Sequence, residues 1–241
     1  MPVYDPNQVE YSIVNGNVQV IQDQGRAINA YLAHPDSGGK FSAIALIHDW
    51  WGLTNFERRL ANTLAQLGYY VLVPDLFNGK TAQTPKEALG LIKNLGTRSF
   101  AQVRLCLETL ENHTRSNSLV AAVGFGMGGT LAFEAALRVA ELEAAVAFYG
   151  FPERNWGKYM HATTPILAVY GDQEPHVPQR DIEQLKSEFA MTTKVQHELL
   201  ILNGVGRGFM QVDTAALSAK PSPSRIATNH LLTFLSKHLR A

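Results

Sequence analysis

One glycine-rich segment of the sequence has the form of a turn that carries a catalytic nucleophile. The segment is "GFGMGG", residues 124–129, and it lies between an apolar stretch and a helical pattern. A turn of the form Gly-x-nucleophile-x-Gly holds a Ser or Cys at the end of a strand, where it can attack a carbonyl carbon. The central position here is Gly126, which has no side chain to attack with.

Three further segments place polar and charged side chains directly after apolar stretches. They are "HDWWGL" at residues 48–53, "GDQEPHVP" at residues 171–178 and "NGVGRGF" at residues 203–209. In open α/β sheets ligands bind at the carboxyl ends of the strands. We therefore expect these loops and the glycine-rich turn to hold the chemistry together.

Apolar stretches alternate with helical patterns from residue 41 onward, and this predicts a mostly parallel sheet covered by helices on both faces. Two earlier segments alternate partly and are expected to form an antiparallel edge. A chain of 241 residues suits one α/β domain, residues 1–241. The predicted strands are residues 18–23, 28–34, 41–47, 69–74, 118–125, 144–150, 165–171 and 194–202, and the predicted helices are residues 55–68, 84–95, 98–113, 128–139, 178–190 and 224–239.

Together with "LGYYVLVPDLF" at residues 67–77, the four loops resemble the dienelactone hydrolase family of α/β-hydrolases. The segments occur in the family's order, and the resemblance runs from about residue 28 to the end of the chain. It implies the α/β-hydrolase fold and a hydrolase of the ester and lactone class. It also implies a triad in the chain order nucleophile, acid, histidine.

The resemblance assigns a role to each site position. It places the family's nucleophile, usually a Cys, at Gly126, the acid at Glu174 and the histidine at Arg207. The backbone N–H groups of Trp50 and Met127 fall where the oxyanion donors are expected. Gly126 has no nucleophile, and Arg207 stays protonated and cannot act as a general base. Two of the three triad positions are therefore replaced.

The same loops supply the candidate pocket residues His48, Asp49, Trp51, His176 and Phe209. Asp49 stands where some family members carry a carboxylate beside the nucleophile. Either histidine could be a substitute base, although a lone loop histidine more often serves packing or hydrogen bonding. Trp51 could form an aromatic wall for a planar or apolar ligand.

The two replaced positions each have two interpretations. Gly126 either relieves backbone strain at the turn or makes room for a ligand or a borrowed nucleophile. Arg207 either forms an ion pair with Glu174 that joins two loops, or faces the pocket as an anion-binding group. Cys106 lies in an amphipathic helical pattern and is expected to be a buried small apolar residue, not a relocated nucleophile.

Three functional hypotheses follow. The first is a catalytically degenerate homologue, a pseudoenzyme that binds a small carboxylate or carbonyl compound through the oxyanion N–H groups and Arg207. The second is an active hydrolase of esters or lactones with a non-standard mechanism, such as water activated by Asp49, His48 or His176. The third is a partner-binding or structural protein with a vestigial pocket.

The amino-acid composition limits the kinds of partner that we expect. The 21 basic and 21 acidic residues give a net charge of zero, which argues against nucleic acid or an anionic membrane as partner. A small-molecule ligand is a possible partner, and the sequence does not indicate an oligomeric state. One cysteine allows no internal disulfide. Without a signal-peptide pattern, a membrane span or a metal-ligand spacing, we expect a cytoplasmic protein with no cofactor and no metal.

Overall fold

The computed structural model describes residues 10–21, 27–211 and 222–239. In chain order the strands are β1 Ile13–Ile21, β2 Ala27–Pro35, β3 Phe41–Ile47, β4 Tyr70–Pro74, β5 Ser116–Phe125, β6 Ala144–Phe148, β7 Ile166–Gly171 and β8 Glu198–Leu202. They form one sheet in the order β1-β2-β4-β3-β5-β6-β7-β8. β2 is antiparallel to both of its neighbours, and the remaining pairs are parallel. The predicted fold class and its antiparallel edge are confirmed.

The helices are α1 Asn55–Gln66, α2 Pro85–Leu95, α3 Arg98–Glu111, α4 Met127–Arg138, α5 Gln179–Ala190 and α6 Pro223–His238. Three of them begin at residues whose side-chain oxygens accept a hydrogen bond from the first turn, namely Thr54, Thr84 and Ser222. Such caps satisfy N–H groups that have no partner within the helix. In the part of the chain that the structure describes, no helix has the length and apolar character of a membrane span.

Burial of whole strands shows that both faces of the sheet are covered. Every residue of β4, β6 and β7 is buried, as a strand between two layers requires. α1 packs on β2 and β4, α3 and α4 pack on β5, and α6 packs on β6 and β7. The continuous apolar stretches of the sequence are therefore the centre of the core.

The last strand is shorter than predicted, because residues 194–197 do not belong to β8. The Nδ1 atom of His197 accepts a hydrogen bond from the backbone N–H of Ile166 at 3.1 Å. A side chain thus takes the place of a strand partner at the start of β7. The sequence shows only an apolar alternation there and gives no sign of this bond.

Several other strand ends also differ from the prediction; β5, for example, begins at Ser116 and not at residue 118. β6 ends at Phe148 and not at residue 150, because Tyr149 has a φ of 41°, which lies outside the extended region. β1 begins five residues before the predicted strand, at Ile13, and the predicted residues 22 and 23 lie outside the described part of the chain.

Candidate functional site

The turn between β5 and α4 has the close backbone packing of a nucleophile elbow. A Cβ atom added at Gly124 would lie 2.0 Å from the Gly128 carbonyl oxygen, and one added at Gly128 would lie 2.3 Å from the Ile47 carbonyl oxygen. Since real Cβ atoms do not approach backbone so closely, strand and helix can meet here only through glycine. These two glycines are required by the geometry of the turn.

Gly126 is required for a different reason. Its φ is 52°, so any other residue would be strained there. A Cβ atom at this position would also meet a side chain: it would lie 2.0 Å from Oδ1, 2.3 Å from Cγ and 2.4 Å from Oδ2 of Asp49. The Asp49 carboxylate therefore stands in the space that a nucleophile side chain at position 126 would fill.

The same carboxylate accepts both N–H groups that the sequence places as oxyanion donors. Oδ1 of Asp49 accepts from the Trp50 N–H at 2.7 Å and from the Met127 N–H at 2.9 Å. Met127 is the first residue of α4, and Gly126 before it offers no side-chain cap. Asp49 thus supplies from another loop the anion that a helix N-terminus favours. The predicted donors converge on one point, and a group of the protein itself occupies it.

Asp49 is only 4% exposed. Burial raises the pKa of its carboxyl above the ordinary value, while the positive charge of Arg207 and the N–H donors of Met127 and Trp50 oppose that rise. Among the described residues none donates a hydrogen bond to Oδ2. One oxygen of this buried acid therefore accepts two hydrogen bonds, and the other accepts none from the residues that the structure describes.

His48 lies in the core beneath the loop that carries Asp49, and both of its ring nitrogens contact backbone groups. It is completely buried, its Nδ1 contacts the Asp49 carbonyl oxygen at 2.6 Å, and its Nε2 accepts from the Leu76 N–H at 3.1 Å. The acceptor role of Nε2 fixes the neutral tautomer with the proton on Nδ1. His48 holds the loop that carries Asp49, and the expectation that it lines an open pocket is wrong.

Glu174 and Arg207 form a buried ion pair through a single contact. Arg207 Nη1 lies 3.1 Å from Glu174 Oε1, and the two side chains are 13% and 1% exposed. The guanidinium also lies 4.9 Å from the ring centres of both Tyr149 and Phe151, a distance at which a cation is attracted to an aromatic face. Arg207 is thus held between two rings and a carboxylate, as the ion-pair interpretation predicts.

Tyr149 is a site residue that sequence reasoning missed. Its hydroxyl is buried and has no hydrogen-bond partner among the described residues. Burial raises the pKa of this hydroxyl well above its usual value, and the negative charge of Asp49 raises it further. The signal available in the sequence was its place directly after an apolar strand, where the other site loops also begin.

The remaining candidates surround this centre at different depths. Trp50 and Trp51 are partly exposed and meet edge to face, with ring centres 5.2 Å apart. His176 is exposed, with its ring 6.4 Å from that of Trp50. Phe209 is only 6% exposed and packs against Tyr149 at 5.5 Å. Phe209 packs in the core and does not line the cleft beside α4.

An open cleft of about 990 Å³ lies to one side of the elbow, between α4 and the junction of α2 and α3. Met127 and Phe151 line it, and they connect it to the surroundings of Asp49 and Arg207. The five residues predicted to line a pocket lie outside it. In the described part of the chain no group of three His, Cys, Asp or Glu side chains is arranged to hold a metal ion.

Comparison with known proteins identifies the family. A sequence model of the Dienelactone hydrolase family matches residues 28–239. The chain belongs to the dienelactone hydrolase family. A carboxymethylenebutenolidase homolog of Homo sapiens is 24% identical over 241 residues, covering 97% of this chain and 95% of that protein. The Protein usf of Aquifex pyrophilus is 24% identical over 204 residues, covering 81% of this chain and 87% of that protein.

Solved structures show the same fold. A dienelactone hydrolase-like promiscuous phosphotriesterase from metagenomic libraries superposes with a TM-score of 0.79 at 21% identity, covering 95% of this chain and 99% of that chain. At this identity the likeness shows the fold alone. The α/β-hydrolase architecture of this dienelactone hydrolase family member is thus complete, while its elbow carries a glycine and a carboxylate from a second loop.

Proposed function

We propose that this member of the dienelactone hydrolase family is catalytically degenerate and does not form an acyl-enzyme. One observation carries the proposal: Asp49 Oδ1 accepts both candidate oxyanion N–H groups and lies 2.0 Å from where a Cβ of residue 126 would be. Nucleophile and oxyanion hole are both needed for acyl transfer. Here the Asp49 carboxylate excludes a nucleophile side chain and also fills the oxyanion hole.

The position of Arg207 supports the same conclusion. A general base must accept a proton, and a guanidinium has no acceptor atom. Arg207 forms an ion pair with Glu174, whose side chain is 1% exposed. The position of the histidine is therefore held by a donor that cannot accept a proton from a nucleophile.

The closed elbow also changes the expected ligand. A small carboxylate or carbonyl compound could use the two N–H groups only by displacing Asp49, which is attached to the same loop and always present. An attached group competes as though at very high concentration. The geometry therefore favours a binding protein whose ligand avoids the oxyanion hole. A cytoplasmic location remains our proposal, supported by a lone buried cysteine.

Hydrolysis by a water molecule that Asp49 activates is the second candidate function. The raised pKa of Asp49 favours it, because a general base works best with a pKa near the operating pH. The free Oδ2 atom could accept the proton. Against this candidate, Oδ1 occupies the donors that would have to stabilise the oxyanion.

Hydrolysis of p-nitrophenyl acetate and of small lactones tests the proposal. We expect the wild-type protein and Asp49→Asn to match the buffer rate. Asp49→Asn keeps the size of the side chain and removes the base, so it is the matched variant for the second candidate. Wild-type hydrolysis well above buffer that disappears in Asp49→Asn would overturn the proposal and establish the water mechanism.

Restoring the triad provides the complementary test. From sequence alone, Gly126→Cys with Arg207→His is expected to raise activity far more than either change by itself. The structure adds a condition, because the new thiol would collide with Asp49. We now expect the double variant to stay inactive and the triple variant with Asp49→Ala to gain thiol-dependent esterase activity. An equally active double variant would show that Asp49 does not block the elbow.

A further inference from the structure

The cleft of about 990 Å³ beside α4 has the chemistry of a binding site for an amphipathic anion. We propose that it binds a medium-chain carboxylate, with the alkyl chain along α4 and the carboxylate at its basic rim. The inference deepens the proposed function, on which it rests in one respect: the ligand is bound and not cleaved. Of the elbow, only the Met127 side chain lines the cleft, and the N–H groups that Asp49 accepts take no part in the contacts.

The floor of the cleft combines apolar side chains with polar ones such as Ser99 and Thr130. It includes Met127 and Leu131 of α4, Leu95 at the end of α2, Phe100 of α3 and Phe151 after β6. Lining residues occur from the first residue of α4 to its last, and a helix of that length extends for about 16 Å. A straight alkyl chain suits such a floor better than a compact or highly polar molecule.

The floor is built rigidly next to the elbow. Thr130 Oγ1 accepts from the Phe151 N–H at 2.9 Å and lies 3.3 Å from the Gly126 carbonyl oxygen. This hydrogen-bonded link fixes the loop after β6 against α4. The Phe151 side chain therefore lines the cleft. Arg207, which lies over the ring of Phe151, is outside the cleft.

The rim of the cleft is positively charged although the whole chain is neutral. Four cationic side chains line the cleft, namely Lys93, Arg104, Arg138 and Arg154. Only two anionic side chains line it, Glu134 and Glu153. An excess of one sign around an apolar cleft attracts a ligand of the opposite sign.

Two of these cations are already paired within the protein. Arg104 contacts Glu108 and Arg138 contacts Glu134. Lys93 and Arg154 form no ion pair with any residue that the structure describes. These two exposed cations are the groups that we expect to meet the carboxylate of the ligand.

One wall of the cleft can adjust to a ligand. Within α2 only Ala88 and Leu95 are buried, and Leu89 is 58% exposed. A helix with so few buried side chains is held weakly and opens more easily than the core. Ile92 of α2 lines the cleft, so an alkyl chain would give α2 an apolar surface to pack on.

Titration calorimetry of the wild-type protein with sodium octanoate, sodium hexanoate and octanol tests the proposal. We expect saturable binding of octanoate, with hexanoate binding about tenfold more weakly because two fewer methylene groups are buried. Octanol, which has the chain without the charge, should also bind more weakly than octanoate. Equal binding of all three, or no saturable binding of octanoate, would overturn the proposal.

Three variants locate the site. Ala101 is an exposed residue of the cleft, and Ala101→Trp should weaken octanoate binding by at least about tenfold by filling the floor. Arg154→Glu should weaken it by about three- to tenfold, since an exposed charge contributes modestly. Arg180→Glu is the matched control, because this α5 side chain is 85% exposed and outside the cleft. If binding survives both cleft variants, octanoate binds elsewhere and the proposal is wrong.

Failure of the cleft assignment can be distinguished from failure of the proposed function. Octanoate binding without hydrolysis of p-nitrophenyl octanoate supports both proposals. Binding together with hydrolysis of this ester overturns catalytic degeneracy and leaves the cleft assignment standing. Absence of both binding and hydrolysis refutes the cleft assignment alone.

Discussion

Replacing Gly126 with alanine should be unusually destabilising, because one methyl group perturbs both backbone and an ionised side chain. The backbone strain of a non-glycine residue at a φ of 52° contributes about 1–3 kcal/mol. The methyl carbon would lie 2.0 Å from Asp49 Oδ1, so the carboxylate must move away from the Trp50 and Met127 N–H groups. Each hydrogen bond to a charged group is worth about 1.5–3 kcal/mol.

Some of that loss is recovered when the displaced carboxylate reaches water, so we expect Gly126→Ala to lower the free energy of unfolding by about 4 kcal/mol. In an Asp49→Ala background the obstacle is gone, and the same substitution should lower it only by the strain, about 1–3 kcal/mol. The difference is a coupling of about 2 kcal/mol between two contacting residues.

Urea unfolding of the wild-type protein, both single variants and the double variant measures this coupling. Asp49→Asn is the matched control, because an amide keeps the volume of the side chain without its charge. Gly126→Ala should be more damaging in the Asn background than in the Ala background, since the steric conflict persists, and less damaging than in the wild type, because hydrogen bonds to a neutral amide are weaker. If Gly126→Ala were equally damaging with Asp49 and with Ala at position 49, the carboxylate would not occupy the elbow and the proposed closure would be wrong.

Three further predictions concern single groups. Burial lowers the pKa of His197 from 6.5 to about 4. The contribution of neutral His197 to stability is therefore present above pH 6.5 and is lost as the pH falls toward 4. His197→Asn, which can still accept a hydrogen bond, should flatten the fall of the urea midpoint between pH 7 and pH 4. Arg207→Met should destabilise the protein by about 3–5 kcal/mol by leaving a buried carboxylate unpaired, and adding Glu174→Gln should restore much of the loss; a double variant no more stable than Arg207→Met would contradict this. Burial raises the pKa of Cys106 to about 12, so iodoacetamide should label it in urea and not in the native protein, and rapid native labelling would show that the thiol is accessible.

The sequence predicted the sheet and the site loops because their determinants are local. Strands such as β3 and β7 are continuous apolar stretches, and that pattern specifies a strand buried on both faces. The glycines around the elbow fixed its position through their spacing alone. The wrong predictions concern the ends of strands. The start of β8 depends on the His197 side chain, which accepts a hydrogen bond from a residue far away in the chain.

The state of the elbow could not be predicted, because it depends on where one side chain points. Asp49 was identified as a carboxylate beside the nucleophile position, but its distance from Gly126 decides whether it assists a nucleophile or replaces one. Tyr149 was missed because the predicted strand ran to residue 150 and included it, whereas β6 ends at Phe148 and leaves Tyr149 at the start of a site loop. Arg207 was placed correctly in the site loop, and the rings that hold it come from the loop after β6.

The contact between Asp49 and Gly126 also governs the order in which substitutions can accumulate. A side chain introduced first at position 126 meets the carboxylate. Removing the carboxylate first leaves the N–H groups of Trp50 and Met127 without their acceptor. Each single step toward a nucleophile therefore lowers stability before any activity can appear. Two loops distant in the sequence are thus mutually dependent, and a mutational path from this elbow to a triad has to cross a less stable intermediate.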